Sequence, residues 1–269
     1  MTDTSKKIDR AIRLIKAYSR HCNPVLAYSG GKDSDVVNCL FKLAHVKVDL
    51  VYNSTTIDYP GVISHCIGNG ASIRRPKYTF LQLIAKRGLP CRERRFCCRQ
   101  LKEQFIPGTV FFGIRSNESV ERQKRYTEPT ACRIYSKKKR QEQVFPLLDW
   151  VLDDEQYIIE NESIRLHESY IGENGHYDLS RRVGCIGCPL QGDRGKKDFL
   201  QYPRFLRLWV KAYAEYVRTH KAVESVYHDI VWHLFYSNHG NNKYNQTYHG
   251  LFEPPDPRQF LCDYFNIDL

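Results

Sequence analysis

The clearest chemical signal in the sequence is a six-residue segment, Ser29-Gly30-Gly31-Lys32-Asp33-Ser34. A short apolar run precedes it at residues 24–28, and apolar residues at helical spacing follow it over residues 36–44. The two glycines permit backbone angles that bring amide groups close to an anion. The start of the following helix adds free N–H groups and a favourable dipole, while the lysine and serines add a cation and hydroxyl groups. The segment therefore predicts a phosphate-binding loop, although it is not a Walker A sequence.

Four of the ten cysteines have a spacing typical of metal ligands, namely Cys97, Cys98, Cys185 and Cys188. The last two form a Cys-x-x-Cys turn, in which two thiolates can face one metal and Gly187 eases the turn. From spacing alone, four such thiolates are compatible with either zinc or an iron–sulfur cluster. Cys91, beside Arg92, is a candidate reactive thiol, and Cys39 is expected to lie in the core.

The charge balance indicates an anionic partner. The 269 residues carry 41 Lys and Arg against 30 Asp and Glu, which gives a formal net charge of +11. Nucleic acid and a phosphorylated small molecule both fit this charge. The run Lys137–Arg140 is either a solvated loop or a contact to a phosphate backbone. The sequence has no apolar run long enough for a membrane helix and begins with polar residues, so a cytoplasmic protein without membrane association is expected.

The elements around these residues predict an α/β fold. A helix is expected over residues 5–20, and strands over 24–28, 46–53 and 110–114, with helical stretches between them. Such alternation is typical of a parallel twisted sheet with helices on both faces, where ligands bind at the carboxyl ends of the strands. Beyond Asp153 the pattern is more helical, with a loop over 172–195, helices over 199–218 and 223–235, and a non-helical Pro254–Pro257 segment. We expect a nucleotide-binding domain over 1–195 with a helical extension over 196–269.

Several segments together resemble the ATP pyrophosphatase (PP-loop) superfamily, which includes the phosphoadenosine phosphosulfate (PAPS) reductases. The segment Ser29–Ser34 resembles the PP-loop itself. Cys97–Lys102 is similar to a Cys-Cys-x-x-x-Lys segment of PAPS-reductase-like proteins. The stretch Gly113–Ser119 with Arg122 resembles their Gly-x-Arg-x-x-(Glu/Gln)-Ser-x-x-Arg element, and Phe145–Trp150 resembles the Pro-Leu-x-x-Trp that follows it. The resemblance covers roughly residues 20–190, in the expected order.

The resemblance implies an adenine nucleotide alpha hydrolase-like fold with a nucleotide bound at the sheet edge. The residues implied in nucleotide binding are Ser29, Gly30, Gly31, Lys32, Asp33, Ser34, Asn53, Asp58 and Arg115. The loop residues would hold the phosphates, with Asn53 and Asp58 near the nucleoside. Arg115 and Arg122 would supply guanidinium groups to oxyanions. The implied catalytic residues are Lys32, Asp33, Arg115 and Arg122.

The cysteine arrangement is similar to that of assimilatory adenylylsulfate reductases and of the iron–sulfur members of the DNA phosphorothioation proteins. This resemblance implies a [4Fe–4S] cluster on the four cysteines Cys97, Cys98, Cys185 and Cys188. Four basic neighbours would offset the thiolate charge or steer an anionic substrate, namely Arg94, Arg95, Arg99 and Lys102.

Two departures from the thiol-dependent reductases favour ATP cleavage. The tail Phe260–Phe265 lacks the Glu-Cys-Gly-x-His segment of those enzymes and offers only Cys262 by position, while the phosphate loop is complete rather than degraded. The leading hypothesis is therefore an enzyme that cleaves ATP to AMP and pyrophosphate, with Mg²⁺, to activate an acceptor for sulfur transfer. The acceptor could be nucleic acid, and a sulfur donor or thiol reductant protein would be a partner. The alternatives are a PAPS or adenylylsulfate reductase that releases sulfite, and a non-catalytic iron–sulfur protein that binds nucleic acid.

Overall fold

A computed structural model describes residues 3–91, 93–220, 225–237 and 256–269. The chain divides into two compact units. The first comprises Met1–Ser54, Tyr59–Arg75 and Glu103–Val183, and the second comprises Thr55–Asp58, Pro76–Lys102 and Gly184–Leu269. Each unit is therefore assembled from separate chain segments, and the cysteine segments belong with the C-terminal helices. The predicted domain bounds at residues 195 and 196 stay a prediction.

The described residues of the first unit form a six-stranded sheet. Its strands are β1 Val25–Ala27, β2 Asp49–Asn53, β3 Ser72–Arg74, β4 Thr109–Phe111, β5 Thr130–Ser136 and β6 Lys139–Val144. Their order is β3-β2-β1-β4-β6-β5, with all neighbours parallel except the β5–β6 pair. The predicted α/β fold with helices on both faces of a mostly parallel sheet is thus confirmed. The antiparallel β5–β6 hairpin was not predicted, and it contains the basic run that was expected to be a loop.

The helices occupy both units. They are α1 Asp3–Ser19, α2 Lys32–Leu43, α3 Val62–Gly68, α4 Phe80–Arg87, α5 Val120–Arg125, α6 Leu152–Asn161, α7 Asp193–Gln201, α8 Pro203–His220, α9 Val226–Val231 and α10 Pro257–Phe265. Residues Cys98–Lys102 and Trp232–Ser237 form π-helical turns. None of the helices in these described ranges has the length and apolar character needed to cross a membrane.

Buried aromatic and aliphatic side chains hold each unit together. In the first unit, Phe41 of α2 packs edge-on against Phe111 of β4, with ring centroids 4.9 Å apart, and both are almost fully buried. In the second unit, Trp209 packs against Phe80 and Phe199, and Phe199 also contacts Phe265 of α10. Burial of rings of this size is a main source of stability for each unit.

Proline explains two differences from the predicted helices. The single helix expected over 199–218 is wrong, because the chain forms α7 and α8 with Pro203 as the first residue of α8. A proline lacks the N–H that a helix interior requires, but it is tolerated in the first turn. For the same reason Pro257 begins α10, where Asp256 caps the helix through the amide of Arg258. Pro254 and Pro255 lie outside the described residues. The expected loop over 172–195 also contains the start of α7.

Candidate functional site

The predicted phosphate loop lies where the strand order of the sheet reverses. The central strand β1 is flanked by β2 on one side and by β4 on the other. Connections that leave such a strand in opposite directions open a crevice at its carboxyl end, which is where ligands bind in open α/β sheets. Residues Ser29–Gly31 follow β1 at this point, and Arg115 follows β4. The structure therefore brings the loop and Arg115 together at one edge of the first unit.

The loop is held in shape by its own hydrogen bonds. Gly30 has a φ of +69°, in the left-handed region that favours glycine. The amide and hydroxyl of Ser34 both donate to the carbonyl of Gly31, at 2.9 and 2.7 Å. The amide of Ser29 donates to the Ser34 hydroxyl at 3.2 Å. These bonds turn the chain from β1 into α2, whose first amides have no partners within the helix.

A glycine after β4 allows close approach to the start of α2. A Cβ atom at Gly113 would lie only 2.8 Å from the carbonyl carbon and oxygen of Asp33. Any larger residue would separate the β4 loop from the phosphate loop. Packing therefore explains the Gly-x-Arg spacing: the small Gly113 lets the chain come close enough for Arg115 to contact the carboxylate of Asp33.

Four charged side chains form a compact ionic cluster behind the loop, which we call the charged quartet: Lys32, Asp33, Arg115 and Glu155. Lys32 Nζ lies 2.7 Å from Glu155 Oε2 and 3.2 Å from Asp33 Oδ2. Arg115 Nε lies 2.8 Å from Asp33 Oδ1 and 3.3 Å from Glu155 Oε1. Glu155 is fully buried and Lys32 is only 3% exposed, so the lysine faces carboxylates rather than solvent.

The two carboxyl groups of the quartet have opposite pKa shifts. Burial, then the charge of Asp33, raises the pKa of Glu155 to about 8. Burial also opposes ionisation of Asp33, but a hydrogen bond with Glu155 and the cations Lys32 and Arg115 lower its pKa to about 2. Two interacting carboxyl groups of this kind hold one proton between them at neutral pH. Two cations then face one negative charge, which leaves the quartet with a net charge of +1.

Glu155 is a site residue that the sequence did not reveal. It follows Asp153 and Asp154 at the start of α6, where acidic residues are usually explained by the helix dipole. Asp154 does act in this way, because its carboxylate accepts the amide of Val151 and pairs with Lys7 at 2.7 Å. Only the packing of α6 shows that Glu155 points towards Lys32.

A second buried network supports the loop from the side of α3. The Tyr28 hydroxyl donates to the carboxylate of Asp35, and His65 Nε2 lies 3.1 Å from Asp35 Oδ2. Burial, followed by the charge of Asp35, raises the pKa of Tyr28 well above its usual range. The Tyr170 hydroxyl accepts the amide of Lys32 at 3.0 Å. The sequence analysis predicted none of the four supporting residues, Tyr28, Asp35, His65 and Tyr170, because a linear pattern does not show which polar side chains meet.

Two further residues of the predicted nucleotide site, Asn53 and Arg122, lie outside the charged quartet. Asn53 ends β2 and is half-buried. Arg122 on α5 pairs with Glu118, which lies 4.0 Å from Arg115 Nη2 and 2.6 Å from Arg182 Nη2. Glu118 thus connects Arg122 to the quartet.

Asp58 belongs to the second unit, together with the cysteines. Its carboxylate accepts the amide of Thr55 at 3.0 Å, and its backbone forms an antiparallel bridge with Cys185. The structure therefore groups Asp58 with the Cys-x-x-Cys turn in the second unit.

The Cys185–Cys188 turn is tightly packed. The amide of Cys188 donates to the carbonyl of Cys185 at 3.3 Å, and the amide of Gly187 donates to Asp198 Oδ2 at 3.0 Å. Gly187 has a φ of +71°, and a Cβ atom there would lie 2.3 Å from the ring of Phe199. A Cβ atom at Gly195 of α7 would lie 2.3 Å from the carbonyl oxygen of Cys188. Helix α7 thus packs directly on the turn.

The four predicted ligand cysteines influence one another electrostatically. A hydrogen bond to Cys98, then burial and the charges of Cys98, Cys185 and Cys188, raise the pKa of Cys97. A hydrogen bond from Cys97 lowers the pKa of Cys98 to about 6, and Arg95 and Lys102 contribute to this shift. The charge of Cys185 is the largest of the effects that raise the pKa of Lys102.

The four cysteine thiols have the chemistry of metal ligands, but they are not arranged as a metal site. Four half-buried thiols in one neighbourhood, with cations beside them, are the groups that bind zinc or iron–sulfur clusters. However, within the described ranges no group of three or more His, Cys, Asp or Glu side chains is arranged to hold a metal ion. Binding a cluster would therefore require these side chains to move.

Comparison with known proteins finds weak structural similarity. No protein-family model matches the sequence, and no curated protein matches it either. Among solved structures, a PAPS reductase from Candida auris is 13% identical, with a TM-score of 0.47 over 70% of this chain and 97% of its own. An FMN adenylyltransferase from Candida glabrata is also 13% identical, with a TM-score of 0.44 over 62% of this chain and 59% of its own. Similarity at this level does not assign a function.

Proposed function

We propose that this protein is an adenine nucleotide-dependent enzyme that cleaves ATP between its α and β phosphates to activate an acceptor for sulfur transfer. The observation that carries the proposal is a complete Ser-Gly-Gly-Lys-Asp-Ser loop at the strand-order reversal, backed by a charged quartet with net positive charge. A loop of this kind provides amide donors and a cation for a leaving pyrophosphate.

The proposed reaction has two displacements. An oxygen of the acceptor attacks the α-phosphorus of ATP, the bond from that phosphorus to the β-bridging oxygen breaks, and pyrophosphate leaves. A sulfur nucleophile from a donor then attacks the activated atom of the acceptor, and AMP leaves with the original oxygen. In this chain the loop amides and Arg115 would bind the phosphates, while Glu155 and Asp33 orient the cations. Mg²⁺ would enter with the phosphates, which are its usual ligands in such sites.

The cysteines are proposed to hold a [4Fe–4S] cluster in the second unit, on Cys97, Cys98, Cys185 and Cys188. Bound there, a cluster would supply electron transfer or a sulfur-binding surface. The packed turn around Cys188 supports a rigid ligand site, and Arg95 and Lys102 would offset thiolate charge. The positive net charge of the chain supports a nucleic acid as the acceptor.

The decisive experiment measures pyrophosphate release from ATP by the wild type and by Lys32→Ala. We expect release to fall by at least 10²-fold in the variant, because the charged quartet loses one of its two cations and with it the net positive charge behind the loop. Loss of Lys32 also leaves Glu155 without its closest cation, so folding must be controlled. The double variant Lys32→Met/Glu155→Gln removes the lysine charge together with its buried carboxyl partner and should fold like the wild type, yet remain inactive.

Two outcomes would overturn the proposal. Unchanged pyrophosphate release in the folded double variant would exclude a catalytic role for this loop. A wild type that binds PAPS but not ATP and releases sulfite would indicate a reductase instead.

A further inference from the structure

The β5–β6 hairpin forms a strongly basic edge of the sheet. The stretch Thr130–Val144 contains five Lys and Arg residues against a single carboxylate, Glu142. That carboxylate accepts a hydrogen bond from the hydroxyl of Thr109 at 2.6 Å. The two-residue tip is Lys137-Lys138, and all four residues of Lys137–Arg140 are exposed. The hairpin alone therefore carries a net charge of +4, more than a third of the total of +11.

Aromatic side chains fix two of the hairpin cations in place. The guanidinium of Arg133 lies 4.7 Å from the ring centroid of Tyr135, and Lys139 Nζ lies 5.6 Å from that of Phe105. The two rings pack edge-on with centroids 5.3 Å apart. Glu103 holds Arg133 at 2.6 Å. Cations held in this way lose less side-chain entropy when they bind an anion.

The basic residues follow the sheet edge from one end to the other. Strand β5 is the last strand of the sheet. Strand β5 runs antiparallel to β6. The hairpin tip therefore lies at the end of the sheet opposite the phosphate loop, and the first residues of β5 lie at the same end as the loop. At that start, Tyr126 packs on Phe145, and the exposed Lys124 and Arg125 precede it on α5. We call this line the basic strip: Lys124, Arg125, Arg133, Lys137, Lys138, Lys139 and Arg140.

The length of the basic strip suits one strand of a nucleic acid. Seven residues of extended chain span roughly 20 Å. Along the axis of B-DNA, the phosphates of one strand repeat about every 3.4 Å, so the strip can lie beside about six of them. At the loop-side end, the exposed Glu121 and Glu128 balance the charges of Lys124 and Arg125, so the net positive charge of the strip lies in the hairpin. A compact anion such as ATP would use only a small part of such a line.

We propose that the basic strip binds the phosphate backbone of a nucleic acid and leads it from the hairpin tip towards the phosphate loop. This inference rests on the proposed function, because it names the acceptor as a nucleic acid. The hairpin tip acts as an anchor remote from the reacting atoms. Backbone contacts of this kind position a nucleic acid without reading its sequence.

The test uses the full chain and two matched sets of substitutions. The first replaces Lys137, Lys138, Lys139 and Arg140 with Gln. The control replaces four exposed cations with Gln, namely Lys6, Arg13 and Lys16 of α1 and Arg20 directly after it. Both variants lose the same charge. Affinity for labelled 20-nucleotide DNA and RNA, single- and double-stranded, is measured by fluorescence anisotropy from 50 to 300 mM salt. Pyrophosphate release from ATP is measured without nucleic acid, where water is the acceptor, and with each oligonucleotide.

We expect the hairpin variant to bind at least 10-fold more weakly than the control. The slope of log affinity against log salt should also become shallower by about 3, since each lost phosphate contact contributes roughly 0.7 to 0.9. Equal losses in the two variants, or a wild type that binds none of the four oligonucleotides, would overturn the inference. Pyrophosphate release without nucleic acid should be the same in all three proteins. Failure of release in the wild type both without and with oligonucleotide would count against the proposed function, whereas failure of oligonucleotide binding alone would count only against the basic strip.

Discussion

At the scale of single residues, the charged quartet sets the net charge behind the phosphate loop. A lysine inside a phosphate loop suggests a free cation pointing at the ligand. Here Lys32 Nζ instead lies against Glu155 and Asp33, and both Lys32 and Glu155 are buried. Because Asp33 and Glu155 hold one proton between them at neutral pH, the quartet keeps one uncompensated positive charge. The proton on this pair therefore controls the electrostatic attraction for a polyphosphate.

This arrangement predicts a pH dependence of nucleotide binding. As the pH rises through about 8, Glu155 loses its proton and the quartet becomes neutral. Affinity for a non-hydrolysable ATP analogue, measured by calorimetry, should then fall by roughly 10-fold between pH 7 and pH 9.5. Glu155→Gln mimics the protonated carboxyl group, so this variant should keep its neutral-pH affinity over the whole range. A wild type and variant with the same pH profile would show that Glu155 does not control the charge.

At the scale of elements, close backbone packing depends on particular glycines. The sequence pattern alone could not show which glycines have no room for a side chain. Gly195 begins the packing of α7 on the cysteine turn, because a Cβ atom there would meet the carbonyl oxygen of Cys188 at 2.3 Å. Gly68, near the end of α3, has no atom within 4 Å of such a Cβ. Both are helical glycines, yet only the first one fixes the position of a predicted ligand loop.

These two glycines form a matched pair for mutagenesis. Gly195→Ala should force α7 away from the turn, lower the free energy of unfolding by about 1–3 kcal/mol and reduce bound metal. Gly68→Ala should leave metal content unchanged and alter the unfolding free energy by less than about 1 kcal/mol. Iron, acid-labile sulfide and zinc per chain, after anaerobic purification, are measured alongside urea unfolding. Full metal content in folded Gly195→Ala would contradict the proposed role of α7. A wild type without iron and sulfide would contradict the cluster assignment.

At the scale of the whole molecule, buried charge links stability to pH. The folded pKa of Glu155 is raised from an unfolded value of 4.5 to about 8. A carboxyl group of this kind favours folding while it is protonated. Its contribution is complete below pH 4.5 and is lost as the pH rises through about 8, because the unfolded chain then binds fewer protons than the folded one. Asp33 acts in the opposite direction only at strongly acidic pH, since its folded pKa lies near 2.

Comparison of wild type with Glu155→Gln isolates this contribution. Between pH 5 and pH 9 the wild type should lose on the order of 2 kcal/mol of unfolding free energy relative to the variant. Urea titrations at several pH values measure the difference, and the histidines and cysteines that also titrate are common to both proteins. A constant difference across this pH range would mean that Glu155 is already ionised below pH 5 in the folded state.

The sequence by itself determined the local features of the protein. Two features of the phosphate loop, the glycine turn and the strand–loop–helix context, depend on neighbouring residues, and such short-range patterns are visible in a linear chain. The same holds for the Cys-x-x-Cys turn and for the alternation that predicted an α/β fold with a parallel sheet. Helix ends at Pro203 and Pro257 were misjudged, because a proline that breaks a helix interior can also begin a helix.

Only the tertiary structure decided which distant residues meet. Glu155 lies more than a hundred residues from Lys32, and its role depends on how α6 packs beside α2. The β5–β6 hairpin placed a basic run on the sheet edge instead of in a free loop, since strand pairing is a long-range interaction. The grouping of Asp58 with Cys185 had the same origin. Local propensity acts over a few residues, whereas burial and charge pairing act through space between segments that the chain order keeps apart.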